Sequence, residues 1–324
     1  MQRLPPHAQP LGRRLRCLPR PAHCGPRLDA AAQDERLGAE IAPASGPGPG
    51  PGPLLLRAPS GWRHAVCRLL RRRWQPMERL ALLAVTAHPG DELAIAGVLA
   101  HHAQAGVHVA LACMTGGHSP QEAHDLRCAC NRLGVSELRI LGFRPAEPGE
   151  PAAPGTLAAT PALEVVRALV RMIRAIRPQV MLTFGPDGID GSPEHVAVGD
   201  LATQAFGATD DLAQFPAEEG AEPYAPAKLY YFGLPEGLLR LAGIPGPGTP
   251  DPAISARADV GALVDLKLEA ARCYHNGMEL ELAGLYSLPP AERRHLLSVE
   301  FLTLAQPQPA VDDRRDPHLF AGLP

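Results

Sequence analysis

The 324-residue chain has few aromatic side chains, which make up 4% of it. Platforms that stack nucleic-acid bases are built from such rings, so their scarcity argues against base recognition. A basic excess is also missing. The formal charge is −3, whereas nucleic-acid binders usually carry a positive stripe or face. No apolar run approaches the roughly 20 residues that a membrane-spanning helix needs. The expectation is a protein that works in the cytoplasm with neither nucleic acid nor membrane as partner. The seven cysteines include no C-x-x-C pair, the spacing typical of metal knuckles and redox turns. Cys128 and Cys130 lie two apart in a stretch that reads as helix, which points them away from each other. Reduced thiols, buried as small hydrophobes, are therefore expected rather than a disulfide framework. Finally, no G-x-G-x-x-G follows the first strand, which removes the dinucleotide-binding fingerprint.

What is present divides sharply near residue 76. From Met1 to Pro76 roughly a third of the residues are Pro or Arg, and Gly46 to Pro53 strictly alternate Gly and Pro. Such a segment buries too little apolar surface to offset its ordering entropy, so residues 1–76 are expected to be a disordered extension. The segment is Arg-rich but broken by Pro and poor in Ser, a bad fit to a transit peptide. Met77 runs directly into an apolar stretch, as the start of many α/β enzymes does. We expect Met77 to be the true initiator, residues 77–304 to form the functional domain, and 305–324 to be a polar tail.

Within that domain, apolar runs alternate with helical spacing. Leu80–Ala87, Val107–Met114, Glu137–Phe143, Gln179–Gly185 and Lys228–Phe232 read as strands. Helices are predicted over Glu92–Ala105, Gln121–Leu133, Leu163–Ile176 and His195–Phe206, with Gly106 and Gly134 as stops. Residues 255–304 also look helical. Alternation of this kind predicts an α/β fold, with a Rossmann-like, mainly parallel sheet flanked by helices. Ligands in such sheets gather where the carboxyl ends of strands turn into helices.

Two motifs fall at that edge. His88 and Asp91 lie three apart at the turn after the first strand, and His195 opens a helix after the fourth. Two imidazoles and one carboxylate form a recurring catalytic zinc set that leaves a coordination position for water. Val85-Thr-Ala-His-Pro-Gly-Asp-Glu92 resembles the Ala-His-Pro-Asp-Asp-Glu signature of the LmbE/PIG-L family, which includes deacetylases of N-acetylglucosamine conjugates. Phe184-Gly-Pro-Asp-Gly-Ile-Asp-Gly-Ser-Pro-Glu-His195 resembles that family's Pro-Asp-Gly loop and its His-Pro-Asp-His. Leu133-Gly134-Val135 and Leu141-Gly142 match further landmarks in order, and the likeness covers roughly residues 79–280. The resemblance implies a zinc ion, or another divalent metal, held by His88, Asp91 and His195. It implies a small-molecule N-acyl amino sugar as substrate, and a homo-oligomer is compatible with it. The alternative is a metal-binding pseudoenzyme with a binding or regulatory role.

Several positions depart from the family pattern. Gly90 stands where the family has its general-base Asp, and Ser192 stands where its second motif has a His. Glu194 keeps the charge of the adjacent Asp and is the candidate catalytic carboxylate, though a role in orienting a neighbouring group suits it too. Glu92 is expected to buttress the first helix, where negative charge is favoured. Asp187 and Asp190 are candidates for binding substrate hydroxyls or for forming the loop's turns. Glu122 and Asp125 replace an Arg-Glu pair. Tyr274 and His275 approximate a pocket position, and His118 is expected to be a solvated loop histidine. His101, His102, His108 and His124 are expected to be structural.

Overall fold

Seven strands form one sheet in the order β3-β2-β1-β4-β5-β7-β6. The computed structural model describes residues 79–146, 153–217, 222–242, 246–274, 286, 288–307 and 319–323. All belong to the second of two units, Val66–Pro324; the first, Met1–Ala65, lies outside the described residues. The extension expected over 1–76 therefore falls outside them as well.

The central strand β1 (Ala81–Thr86) is buried along its whole length. It pairs in parallel with β2 (His108–Cys113) on one side and β4 (Val180–Phe184) on the other. This accounts for its unbroken apolar run: a parallel strand covered by helices on both faces has no polar face to show. β3 (Glu137–Ile140) extends the sheet beyond β2, and β5 (Lys228–Gly233) extends it beyond β4, both in parallel. The crossover helices are α1 (Ala96–Gln104), α2 (Pro120–Leu133), α3 (Ala162–Ile176) and α4 (Pro193–Ala208). Ser119 caps α2 through Glu122 N–H, and Gly134 ends it in the left-handed conformation. The first helix differs from expectation. Asp91–Ile95 is a 3-10 turn, and regular α-helix begins only at Ala96.

The helical expectation for 255–304 is corrected. β6 (Ala256–Asp259) and β7 (Val299–Gln306) add an antiparallel edge to the sheet through β5–β7 and β7–β6 pairing. The regular helices there are α6 (Val264–Ala271) and α7 (Pro290–Leu297), following α5 (Glu236–Ala242), with a 3-10 turn over Gly261–Leu263. The strand alternation was disguised by Glu300, a charged residue at an inward position of β7. Its carboxylate is buried because it accepts from Gly97 N–H and Val98 N–H, each at 2.8 Å, at the start of α1. It also pairs with buried Lys267 of α6 at 2.6 Å. Hydrogen bonds and a partner of opposite charge are what allow a carboxylate to sit in a core.

The expectation of reduced thiols is also corrected. Cys128 of α2 and Cys273, just past α6, are joined in a disulfide across 145 residues of sequence. The packing of α2 against α6 brings their Cα atoms to 5.7 Å, an ordinary bridging separation. No local spacing announces such a pair. Cys113 and Cys130 are free and buried.

Candidate metal centre

The strand order reverses between β1 and β4, because the chain leaves β1 toward β2 and leaves β4 toward β5. That reversal opens a crevice at the carboxyl ends of the two strands, the usual ligand position in such sheets. His88 and Asp91 follow β1, and His195 lies in the first turn of α4 after β4. The structure brings all three together, with one ligand atom of each within 4.8 Å of the others.

Asp91 is fully buried and held by its own turn. Its Oδ2 accepts from Ala87 N–H at 3.0 Å and from His88 N–H at 2.7 Å. Its Oδ1 is buried with no hydrogen-bond partner, and His195 Nε2 stands 3.5 Å away. His88 Nδ1 and His195 Nε2 are 3.2 Å apart. On their far sides both imidazoles meet carboxylates. His88 Nε2 donates to Glu194 Oε2 at 2.7 Å, and His195 Nδ1 donates to Asp190 Oδ1 at 3.0 Å, with Gly188 O at 3.1 Å. Anchoring the outer N–H in this way turns the opposite nitrogen's lone pair toward one point, as metal-binding histidines require. Phe184 stacks on the His195 ring at 4.3 Å and fixes its plane.

The electrostatics of the crevice favour positive charge. Burial alone would make His195 less basic, but its hydrogen bond with Asp190 and the nearby Asp91 carboxylate push its pKa up to about 10. His88 is raised despite its burial, chiefly by Glu194 and then Asp91. The Asp91 carboxyl is lowered, because the two histidines outweigh its desolvation. An orphaned buried carboxylate oxygen, two inward imidazole nitrogens and a field that stabilises cations together fit a divalent metal of the type bound by His and Asp.

The loop from β4 to α4 is built differently from the β1 turn. Ile189, buried, adopts φ 67°, an unusual conformation for a β-branched residue. It is held there by Asp187, whose Oδ1 accepts from Ile189 N–H at 2.7 Å and whose Oδ2 accepts from Thr249 Oγ1 at 3.0 Å. The bend delivers Asp190 to His195, and Asp190 also accepts from Ser192 N–H at 2.7 Å. Asp187 and Asp190 thus both bond to the protein's own loop. Close approach of α4 to β4 depends on Gly199, where a Cβ would lie 2.6 Å from Phe184 O.

Glu92 is fully buried beneath the turn. Its Oε2 accepts from Gly90 N–H at 2.9 Å and its Oε1 accepts from Tyr274 O–H at 2.5 Å. Burial pushes its pKa up to about 7. Gly90 itself has φ 108°, a region that side chains rarely enter. The remaining positions lie away from the centre. His118 is exposed and bonds Gly142 O, and His102 bonds Val98 O within α1. His108 pairs with Glu137, Asp125 is buried and accepts from Gln121, and Glu122 is exposed. His275 lies outside the described residues. Sequence reasoning missed the stacking of Phe184, the strained Ile189 and the Tyr274–Glu92 link. An aromatic ending β4 is the one signal that pointed to any of them.

A Rossmann-like α/β protein with a His-Asp-His cluster at the switch point is the class that the fold and the crevice define. Residues 83–206 match the family described as PIG-L: GlcNAc-PI de-N-acetylase. The chain is 31% identical to 1D-myo-inositol 2-acetamido-2-deoxy-alpha-D-glucopyranoside deacetylase of Salinispora arenicola (strain CNS-205), covering 75% of this chain and 91% of that one. It is 30% identical to the protein of the same name from Streptomyces griseus, covering 75% and 89% respectively. Among solved structures, GalB, the 4-carboxy-2-hydroxymuconate hydratase from Pseudomonas putida KT2440, is similar with a TM-score of 0.51. That match has 16% identity over 72% of this chain and 98% of GalB, and it speaks to the fold alone. The chain belongs to the PIG-L/LmbE family.

Proposed function

We propose that this protein is a zinc-dependent hydrolase that removes the acetyl group from an N-acylated amino sugar carried on a small conjugate. The observation that carries the reading is the convergence of His88 Nδ1, Asp91 Oδ1 and His195 Nε2 on one point, with Asp91 Oδ1 otherwise unbonded. The substrate class is supported by the names of the matched relatives, which are deacetylases of an acetamido-glucopyranoside on inositol. No described helix is long and apolar enough to cross a membrane. Action in the cytoplasm on a small molecule, without nucleic acid, belongs to the same proposal.

In this reading His88, Asp91 and His195 hold the cation, while Glu194 and Asp190 hold the two imidazoles in the required tautomers. When bound, a zinc ion supplies Lewis acidity toward a carbonyl oxygen and lowers the pKa of a water toward neutrality. Deacetylation also needs a group that takes a proton from water and returns one to the departing amine. Asp91 and Glu92 are closed to solvent, whereas the Glu194 side chain keeps 12% of its surface exposed. Glu194 is therefore the carboxylate proposed for the proton, which it would exchange at the edge left open beside its bonds to His88 Nε2 and Ala146 N–H. His88 and the Ala146 N–H outweigh the effect of its burial and hold its carboxyl below the ordinary range, which makes it a weak base. A well-tuned general base contributes about 10²–10⁴-fold, so slow turnover is expected.

The second reading, a metal-binding pseudoenzyme with a binding or regulatory role, is favoured by Gly90. That position has no side chain, and its N–H is committed to Glu92. The two readings separate in an assay of acetate release from N-acetylglucosaminyl-inositol and simpler N-acetylglucosaminides by the zinc-loaded full chain. Slow release that disappears in His195→Ala supports the hydrolase. Release no faster than in His195→Ala, with zinc still bound to the wild type, selects the pseudoenzyme.

A further inference from the structure

The Cys128–Cys273 disulfide is not an isolated staple, because Cys273 is followed directly by the residue that reaches the metal turn. Tyr274 is anchored by its N–H to Ala271 O at 3.2 Å, in the turn that closes α6. Its hydroxyl donates to Glu92 Oε1 at 2.5 Å, and the other oxygen of Glu92 accepts from Gly90 N–H at 2.9 Å. A continuous link therefore runs from Cys128 through the disulfide, Tyr274 and Glu92 to the backbone between His88 and Asp91.

Other contacts make this link separable from the fold around it. The body of α6 is fastened independently by Lys267, whose Nζ pairs with Glu300 Oε1 at 2.6 Å and donates to Leu297 O at 2.9 Å. The 3-10 turn is tethered a second time, by Tyr286 O–H to Leu93 O at 3.1 Å. Breaking the disulfide would thus leave α6 docked and remove the covalent tie on the turn that follows it, which carries Tyr274. Cys273 is buried, at 4% exposure, whereas Cys128 is half-buried. Of the two, Cys128 is accordingly the sulfur assigned to meet an incoming thiolate, since exchange requires access to one sulfur.

We propose that Cys128 and Cys273 form a reversible thiol–disulfide site whose oxidation state sets the rigidity of the His88–Asp91 turn through Tyr274 and Glu92. The co-reactant is a low-molecular-weight thiol. Its thiolate attacks the Cys128 sulfur and releases Cys273 as a thiolate, which is then protonated. A second thiol molecule resolves the mixed disulfide. The net change is one protein disulfide plus two thiols giving two protein thiols plus one small disulfide, and excess small disulfide reverses it. Disulfides in thiol-rich compartments are usually transient and redox-sensing, which suits a site of this kind.

The test is amide hydrogen exchange on the full, metal-free chain, oxidised and then reduced with glutathione, with peptide mapping to verify the Cys128–Cys273 bond in each state. Reduction is expected to speed exchange over residues 90–92 about tenfold or more, as befits loss of a local tether. Residues 82–86 of β1 should not change. Tyr274→Phe should show the fast exchange already in the oxidised state and no further response to reduction. Three results overturn the proposal: equal exchange in both redox states, equal acceleration in β1, or a redox response that persists in Tyr274→Phe. The consequence for metal affinity rests on the zinc reading above. Zinc binding is expected to weaken on reduction, while failure to bind zinc in either state refutes that reading and leaves the exchange result to decide the coupling.

Discussion

The turn after β1 and the loop after β4 each bring a histidine to the same point, yet they hold it by opposite means. The β1 turn is braced first from within, by one of its own candidate ligands, and Glu92 ties it to Tyr274. Asp91 is both candidate ligand and local brace, since one carboxylate oxygen bonds Ala87 and His88 N–H while the other faces the crevice. The β4 loop is braced by carboxylates that are not themselves candidate ligands, and one of them is held from outside the loop. Its strained Ile189 is pinned by Asp187, Asp187 is pinned by Thr249 from another part of the chain, and His195 is steered by Asp190 and Phe184. One half of the centre couples ligation to folding, and the other keeps them apart.

The sharpest break of that comparison is Asp91→Ala against His195→Ala. Both should abolish tight zinc binding. In the metal-free chain Asp91→Ala should also cost about 2–4 kcal/mol, because a buried and a partly buried N–H group lose their acceptor. His195→Ala should cost about 1–2 kcal/mol, mostly from the lost stacking on Phe184. Urea denaturation of the two metal-free variants measures the difference, and equal losses would erase the distinction drawn here.

The two carboxylate clamps come next in size. Asp190→Asn and Glu194→Gln should each weaken zinc binding about 10–100-fold, the range for partners that orient a ligating histidine. Asp190→Asn should lie at the larger end, because His195 is buried while the His88 side chain is 30% exposed. Chelator competition reads both, and the reverse order would show that the loop, not the turn, tolerates loss of its brace.

Gly90→Asp probes the β1 turn from the other side. Placing a side chain at φ 108° should destabilise the protein by about 1–2 kcal/mol. Any acetate release should still rise at least tenfold, within the contribution of a general base. An unchanged rate would mean that the turn cannot aim the new carboxylate at the substrate. The smallest expected effect is that of Thr249→Val, which removes one hydrogen bond to Asp187 and should cost about 1 kcal/mol or less.

The same contrast explains what was legible in the sequence. The β1 turn could be read directly, because strand, turn, His88 and Asp91 lie within a dozen consecutive residues and Asp91 braces the turn locally. The inner parallel strands were equally plain, since burial on both faces leaves unbroken apolar runs such as Ala81–Val85. For the second motif, the sequence located His195 but not its support: neither Asp190 as its partner nor the bend at Ile189 follows from spacing. The antiparallel edge was misread because Glu300, an inward charge satisfied by Lys267 and the start of α1, broke the apolar alternation of β7. The disulfide was missed for a related reason, as only the packing of α2 on α6 brings Cys128 to Cys273. The antiparallel edge and the disulfide stayed hidden because both depend on residues distant in the chain.

The most direct test of the central claim is the metal content of the full-length protein by mass spectrometry, after zinc is supplied and the excess removed, beside His88→Ala treated identically. The account predicts about one zinc per chain in the wild type, the stoichiometry of a single His₂Asp site, and none retained in His88→Ala. Wild type without zinc, or His88→Ala that keeps it, would contradict the assignment of this crevice as a metal centre.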